Sequence, residues 1–222
     1  MELVKPRPLM PGDRIGIVAT SSPVTAAELD RLAARLGQRG YPVRVADGVL
    51  DRDGYLAGSA ERRAAGVRQM FADPEVALVM PASGGTGASH LVDLLDYTAI
   101  RVHPKLFTGF SNPSVLNNAI LAAAGLPSVH GISGFQFFGW PTADEPTEAA
   151  FWRMVTGPIA PDKSPDDLVL RCVQGEFPVI TGVGFGHQQS KILFPVGCRV
   201  EFDLSGPQPV LRYLEDLIKP WR

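Results

Sequence analysis

The feature that most narrows the fold of this chain is a serial alternation of short apolar runs and amphipathic helical patterns through its first 130 residues. Arg14 to Ala19 is an apolar run entered by the turn signal Pro11-Gly12-Asp13, and it reads as a buried first strand. Thr25 followed by Glu28 forms a capping box, in which hydroxyl and carboxylate each satisfy a free N–H at a helix start. Leu29, Leu32, Ala33 and Leu36 then recur at helical spacing, and Gly40 suits a left-handed helix end. The pattern repeats. Tyr41–Ala46 predicts a second strand, Ser59 caps a helix with Ala64, Val67, Met70 and Phe71 on one face, and Val76–Met80 is a strand apolar enough to be covered on both sides. Gly84–Leu95 turns into a helix, Leu106–Thr108 is a fourth strand, Val115–Ala124 a further helix, and a fifth strand-like run ends at His130. Strand–helix alternation of this kind implies a parallel sheet with right-handed crossovers, here a doubly wound α/β architecture.

Past Gly131 the texture changes. Phe135, Phe137, Phe138 and Trp140 cluster, and a Pro-, Asp- and Glu-rich stretch follows with one short helix expected around Phe151-Trp152. From Leu168 the pattern is β-rich: Val169–Val173, Val179–Val183, Cys198–Leu204 and Val210–Leu214. The expected organisation is an α/β domain over 1–134, a linker with the aromatic cluster over 135–167, and a smaller β-rich C-terminal domain over 168–222.

Composition removes several classes of function. The 21 basic and 23 acidic residues give a net charge of -2, so there is no field to hold a nucleic acid backbone or an anionic membrane. No apolar run approaches the roughly 18 residues that a bilayer span requires. The opening Met1–Pro6 has no apolar signal core, so the chain reads as soluble and cytoplasmic. Cys172 and Cys198 make no CxxC, and no HExxH or comparable spacing occurs, so neither a metal nor a cofactor is expected.

Three segments could carry chemistry. In Gly109-Phe110-Ser111-Asn112-Pro113 a strand ends, a serine follows, and a helix begins at Pro113. A serine on so sharp a turn can present its hydroxyl as a nucleophile beside backbone N–H groups; equally, Ser111 or Asn112 can simply cap the helix. Ser83-Gly84-Gly85-Thr86-Gly87 ends the third strand at the same edge, where Gly84 and Gly85 could bring N–H groups to a substrate oxygen or form only a tight turn. It fits neither dinucleotide nor P-loop patterns. His187, in Gly182-Val183-Gly184-Phe185-Gly186-His187, follows a strand and can take a serine proton if folding unites them; otherwise it is a loop histidine bonded to backbone. His90, His103 and His130 are weaker candidates, His130 being placed to line the cleft or make a structural hydrogen bond.

Taken together these blocks resemble the L,D-carboxypeptidase family of serine peptidases, which includes the microcin-immunity peptidases. The resemblance runs through Pro11–Ala19 with Ser21-Ser22-Pro23, Gly54–Ser59 with Arg62 and Arg63, and Phe71–Val76. It continues in Gly84–Ser89 with Leu94–Tyr97, Pro104-Lys105 through Asn112, Val129–Gly131, and a closing block from Pro178 to His187 with Pro195-Val196-Gly197 and Asp203. The resemblance implies a Ser–His–Glu triad acting on the amide before a terminal D-amino acid of a murein peptide. Ser111 is then the nucleophile, His187 the base, and the N–H groups of Gly85 and Asn112 the oxyanion donors, with Gly84 beside them. A homodimer is suggested by the resemblance and not by composition.

Three departures stand against the family pattern. Ser83 occupies the place of an arginine, Thr86 that of an aromatic residue, and the stretch that carries the triad glutamate is much shorter. Leu214-Glu215-Asp216 resembles the glutamate's context but follows Asp203, so no glutamate is assigned; Glu176 and Asp144 are alternatives for orienting His187. These departures leave a second expectation open, a shortened non-catalytic relative that binds cell-wall peptides or serves a structural role.

Overall fold

The computed structural model describes residues 2–138, 145–157, 169–172, 178–181, 194–203 and 210–214. Five parallel strands form the centre of the molecule: β1 (Arg14–Val18), β2 (Val43–Val45), β3 (Val76–Pro81), β4 (Leu106–Gly109) and β5 (Ser128–His130), in the order β2-β1-β3-β4-β5. The order reverses between β1 and β3, the switch point at which doubly wound sheets open a crevice at their carboxyl ends.

Helices α1 (Ala26–Gln38), α2 (Ala60–Ala72), α3 (Tyr97–Val102) and α4 (Ser114–Ala124) make the crossovers, and a 3-10 turn covers Ala88–Leu94. The helix expected within Gly84–Leu95 takes this 3-10 form; its start at Gly87 is left-handed and has no side-chain cap. Contacts sort the helices into two groups. Helices α2, α3, α4 and the 3-10 turn pack on one another, whereas α1 packs against α5 (Phe135–Phe138).

Sequence pattern explains these elements. All six residues of β3 are buried, as a strand covered on both faces requires, each large apolar side chain contributing about 1.5–3 kcal/mol. Helix α1 begins with both halves of the Thr25/Glu28 capping box, buries Leu29, Leu32 and Leu36, and is followed by Gly40 at φ 86°. Between the sheet and α2, Phe71 stacks on Phe107 at 6.3 Å.

The helix around Phe151-Trp152 is α6 (Glu145–Thr156), and it returns to α1. Trp152 stacks on Tyr41 with centroids 5.0 Å apart. Glu148, 5% exposed, takes Arg35 and Arg39 at 2.9 Å each and the Trp152 indole N–H at 3.2 Å. Two cations and an indole donor offset the desolvation of one carboxylate, so α6 is held as well as packed.

Past α6 the described residues form β6 (Val169–Cys172) with β7 (Pro178–Thr181), and β9 (Val200–Asp203) with β10 (Val210–Tyr213), two antiparallel pairs. The strand unseen in the sequence is β8 (Phe194–Val196), which pairs antiparallel with β5 and makes the sheet six-stranded. Its apolar run is only three residues long and contains Pro195. An edge position tolerates that proline.

Candidate active site

The carboxyl ends of β1, β3, β4 and β5 converge on one cleft of about 300 Å³. Its polar lining is Ser22, Ser83, Ser111, Ser133 and Gln136, with Gly84 and Gly85; Phe110 and Phe135 are its apolar walls, and Glu28 stands in the lining from α1.

Ser111 sits where β4 gives way to α4 and is the non-glycine residue with positive φ, 62°, among the described residues. A left-handed conformation at serine costs on the order of 1–2 kcal/mol, and it lifts the side chain off the end of the strand. The N-terminal position of α4 is Pro113, without a side-chain cap, and the Asn112 side-chain oxygen is used elsewhere.

Two features bring the glycine loop against this serine. A Cβ on Gly84 would lie 3.1 Å from Ser111 Cβ and 3.4 Å from its Oγ, so any side chain there would press on the serine. Gly85 has φ 111°, and a Cβ there would fall 2.0 Å from Ser22 Oγ. The Ser22 N–H donates to Gly84 O at 3.1 Å and Ser83 Oγ to Ser22 O at 2.6 Å, stitching the loop to the end of β1. Among the described residues, the backbone N–H groups of Gly85 and Asn112 donate to no protein acceptor.

The Asn112 side chain is a clamp. Its Oδ1 accepts Ser21 Oγ at 2.9 Å and the Ala88 N–H at 2.7 Å, joining three strand-end loops at one atom. On the other wall, Ser133 donates to Gln136 Oε1 from both its N–H (2.7 Å) and its Oγ (2.8 Å), fixing the start of α5.

The electrostatics are sparse. Glu28 is held below the usual carboxylate range, first by the Thr25 N–H and then by the Thr25 hydroxyl, so it is ionised at neutral pH. His130, at the end of β5, has its pKa lowered by burial and places Nδ1 3.0 Å from Ser114 Oγ. Its ring lies 5.9 Å from that of Phe110. It is therefore a bonded histidine behind the Ser111 turn. His90 is exposed, and His103 ends α3. His187, Asp144 and Glu176 lie outside the described residues. Of the site residues expected from sequence, Ser111, Asn112, Gly84 and Gly85 come together.

Sequence reasoning did not single out Ser133, Gln136 or the buried Arg63 as parts of the site. Arg63 had a signal: it falls four and seven residues before Val67 and Met70, on the apolar face of α2. Among the described residues there is no group of three or more His, Cys, Asp or Glu able to hold a metal, and no helix is long and apolar enough to cross a membrane.

Fold and site together define a doubly wound α/β protein with a serine on a strained strand-to-helix turn, faced by a glycine loop. The chain belongs to the S66 peptidase family, whose LD-carboxypeptidase N-terminal domain matches residues 15–131, just over half of it. It is 37% identical over 127 residues to the "Probable murein peptide carboxypeptidase" of Bacillus subtilis, a match covering 57% of this chain and 40% of that protein. It is 30% identical over 119 residues to the murein tetrapeptide carboxypeptidase of Pseudomonas aeruginosa, covering 53% and 38%. Thus the chain spans about half the length, or less, of these curated relatives. Among solved structures, an MccF-like protein from Bacillus anthracis shares 28% identity at a TM-score of 0.64, over 73% of this chain and 51% of that one. A muramoyltetrapeptide carboxypeptidase from Oxalobacter formigenes, at 20% identity, shares the fold with a TM-score of 0.75, covering 90% of this chain and 98% of that one.

Proposed function

We propose that the protein is a serine-type L,D-carboxypeptidase that removes a terminal D-amino acid from murein peptides in the cytoplasm. The observation that carries the reading is the left-handed Ser111 at the end of β4, with Gly84 packed against it. In this reading Ser111 Oγ attacks the carbonyl carbon of the terminal amide while His187 takes the hydroxyl proton. The oxyanion accepts the N–H groups of Gly85 and Asn112, which have no other described acceptor. The tetrahedral intermediate collapses to an acyl-enzyme, the proton passes to the leaving amine, and water attacks the ester with His187 again as base. The hydroxyl-lined cleft holds the peptide, and Phe110 and Phe135 exclude water from one side of it.

A second reading, a peptide-binding relative without turnover, draws on Ser83. Its hydroxyl is committed to Ser22 O, and no cation lines the cleft among the described residues to hold a substrate carboxylate. One experiment separates the two. Incubation with a murein tetrapeptide should release its terminal D-amino acid by mass spectrometry, and a fluorophosphonate probe should label Ser111. Binding of the peptide with neither release nor labelling favours the second reading.

A further inference from the structure

Arg63 is 2% exposed, in the first turns of α2, and among the described residues no carboxylate lies within ion-pair distance of it. Its guanidinium is spent on backbone. Nε donates to Gly58 O at 3.2 Å, and Nη1 donates to Thr20 O at 2.6 Å and Gly87 O at 2.8 Å. Nη2 is buried and has no partner among the described residues. Burial lowers its pKa, with Glu61 opposing. A cation near a helix N-terminus also opposes the helix dipole.

What the charge holds explains it. Thr20 and Gly87 immediately precede Ser21 and Ala88, and these two residues supply both donors to Asn112 Oδ1. A single side-chain nitrogen thus fixes two carbonyls, and the residues that follow fix one oxygen next to the nucleophile. The peptide unit between Gly87 and Ala88 carries the effect directly. A charged donor on its carbonyl polarises the same unit's N–H, which points at Asn112.

We propose that Arg63 is a positioning residue, holding the Asn112 clamp and through it the strained Ser111 turn. The inference rests on the reading of Ser111 as nucleophile. Misplacing a reacting group by about 1 Å can cost about a hundredfold in rate, so a relay of this kind has a measurable output.

The test is the rate of fluorophosphonate labelling of Ser111 in the full chain, normalised to folded protein by thermal melting. If the wild type does not label, or Ser111→Ala still labels, the nucleophile reading falls and this inference with it. If the wild type labels, Arg63→Met, similar in length but without donors, should label at least about tenfold more slowly. Arg63→Ala should regain rate with millimolar methylguanidinium and not with neutral methylurea, a selectivity that a space-filling role would lack. Ser21→Ala leaves the helix intact and should slow labelling about three- to tenfold; combined with Arg63→Met it should add little further loss. Wild-type rates in Arg63→Met, equal rescue by methylurea, or an unaffected Ser21→Ala would each overturn the inference while leaving the nucleophile in place. Should the Arg63 variants fail to fold, Ser21→Ala decides alone.

Discussion

The two ends of α2 carry two buried cations with opposite purposes. At its start Arg63 reaches into the carboxyl edge of the sheet and holds three loops around an open cleft. At its end Lys105, 7% exposed and just before β4, donates to Met70 O and Asp73 O, the terminal carbonyls of the helix. The lysine satisfies the negative end of the helix dipole; the arginine defies the positive end. Burial pushes the Lys105 ammonium down to about 8, with Asp73 opposing and Arg7 adding to the shift. The guanidinium stays charged throughout the accessible range. One edge is closed for stability, whereas the other frames the cleft proposed to carry the chemistry, and the position of a buried charge relative to a helix end tells them apart.

The sharpest way to break this contrast is at Ser111, the proposed nucleophile. Ser111→Ala should lower peptide hydrolysis by about 10⁴ or more while moving the melting temperature little, because the Cβ and the left-handed backbone are kept and only the hydroxyl is lost. Retained turnover in that variant would show that the carboxyl edge is not where the chemistry happens. Next is Gly85→Ala, which forces a Cβ into φ 111° and onto Ser22 Oγ. It should cost about 10²–10³ in turnover through the displaced N–H, with a smaller loss of stability. A variant that melts far lower yet keeps its turnover would place the glycine with the structural edge instead.

At the closed edge the readout is stability. Lys105→Met orphans two helix-terminal carbonyls and should cost about 1–3 kcal/mol near pH 7 without altering Ser111 labelling per folded molecule. The folded pKa of Lys105, about 8, lies below its ordinary 10.5, so the unfolded chain binds more protons between those values. The pH-dependent part of its stability therefore rises from pH 8 to 10.5, and as pH falls it is lost over the same window, down to a constant remainder below 8. The gap in melting temperature between wild type and Lys105→Met should widen by about 2–4 °C per kcal/mol over that window. A gap that stays flat with pH would mean the amine is not desolvated. The smallest effect is expected from Thr25→Ala, which removes half the capping box and costs about 1 kcal/mol. It should also raise the Glu28 carboxyl toward its ordinary pKa, measurable by NMR titration; an unmoved Glu28 would separate the cap from the cleft.

Much of the closed architecture was legible in the sequence because its signals are local. The 3.6-residue spacing of Leu29, Leu32 and Leu36, the capping box and the continuous apolar β3 each act within a few residues. The misses came from interactions without a local signature. Phe194–Val196 is a strand only because β5 leaves an edge for it. Ala88–Leu94 winds as a 3-10 turn because it starts from left-handed Gly87 with no side-chain cap, instead of a regular helix start. The use of the Asn112 side chain had no local signal either, because its donors, Ser21 and Ala88, are 91 and 24 residues away.

By itself the sequence determined the alternation of strands and helices, the family to which the chain belongs, and the loops that meet at one edge of the sheet. Periodicity and turn chemistry are short-range, and topology then sends every strand of a parallel sheet to the same end. Tertiary structure alone decided the left-handed backbone of Ser111, the contact of Gly84 with it, and the use of Arg63. Each depends on distances between segments that no spacing along the chain encodes, and the forces that fix them, steric exclusion and hydrogen bonding, act only within a few ångströms.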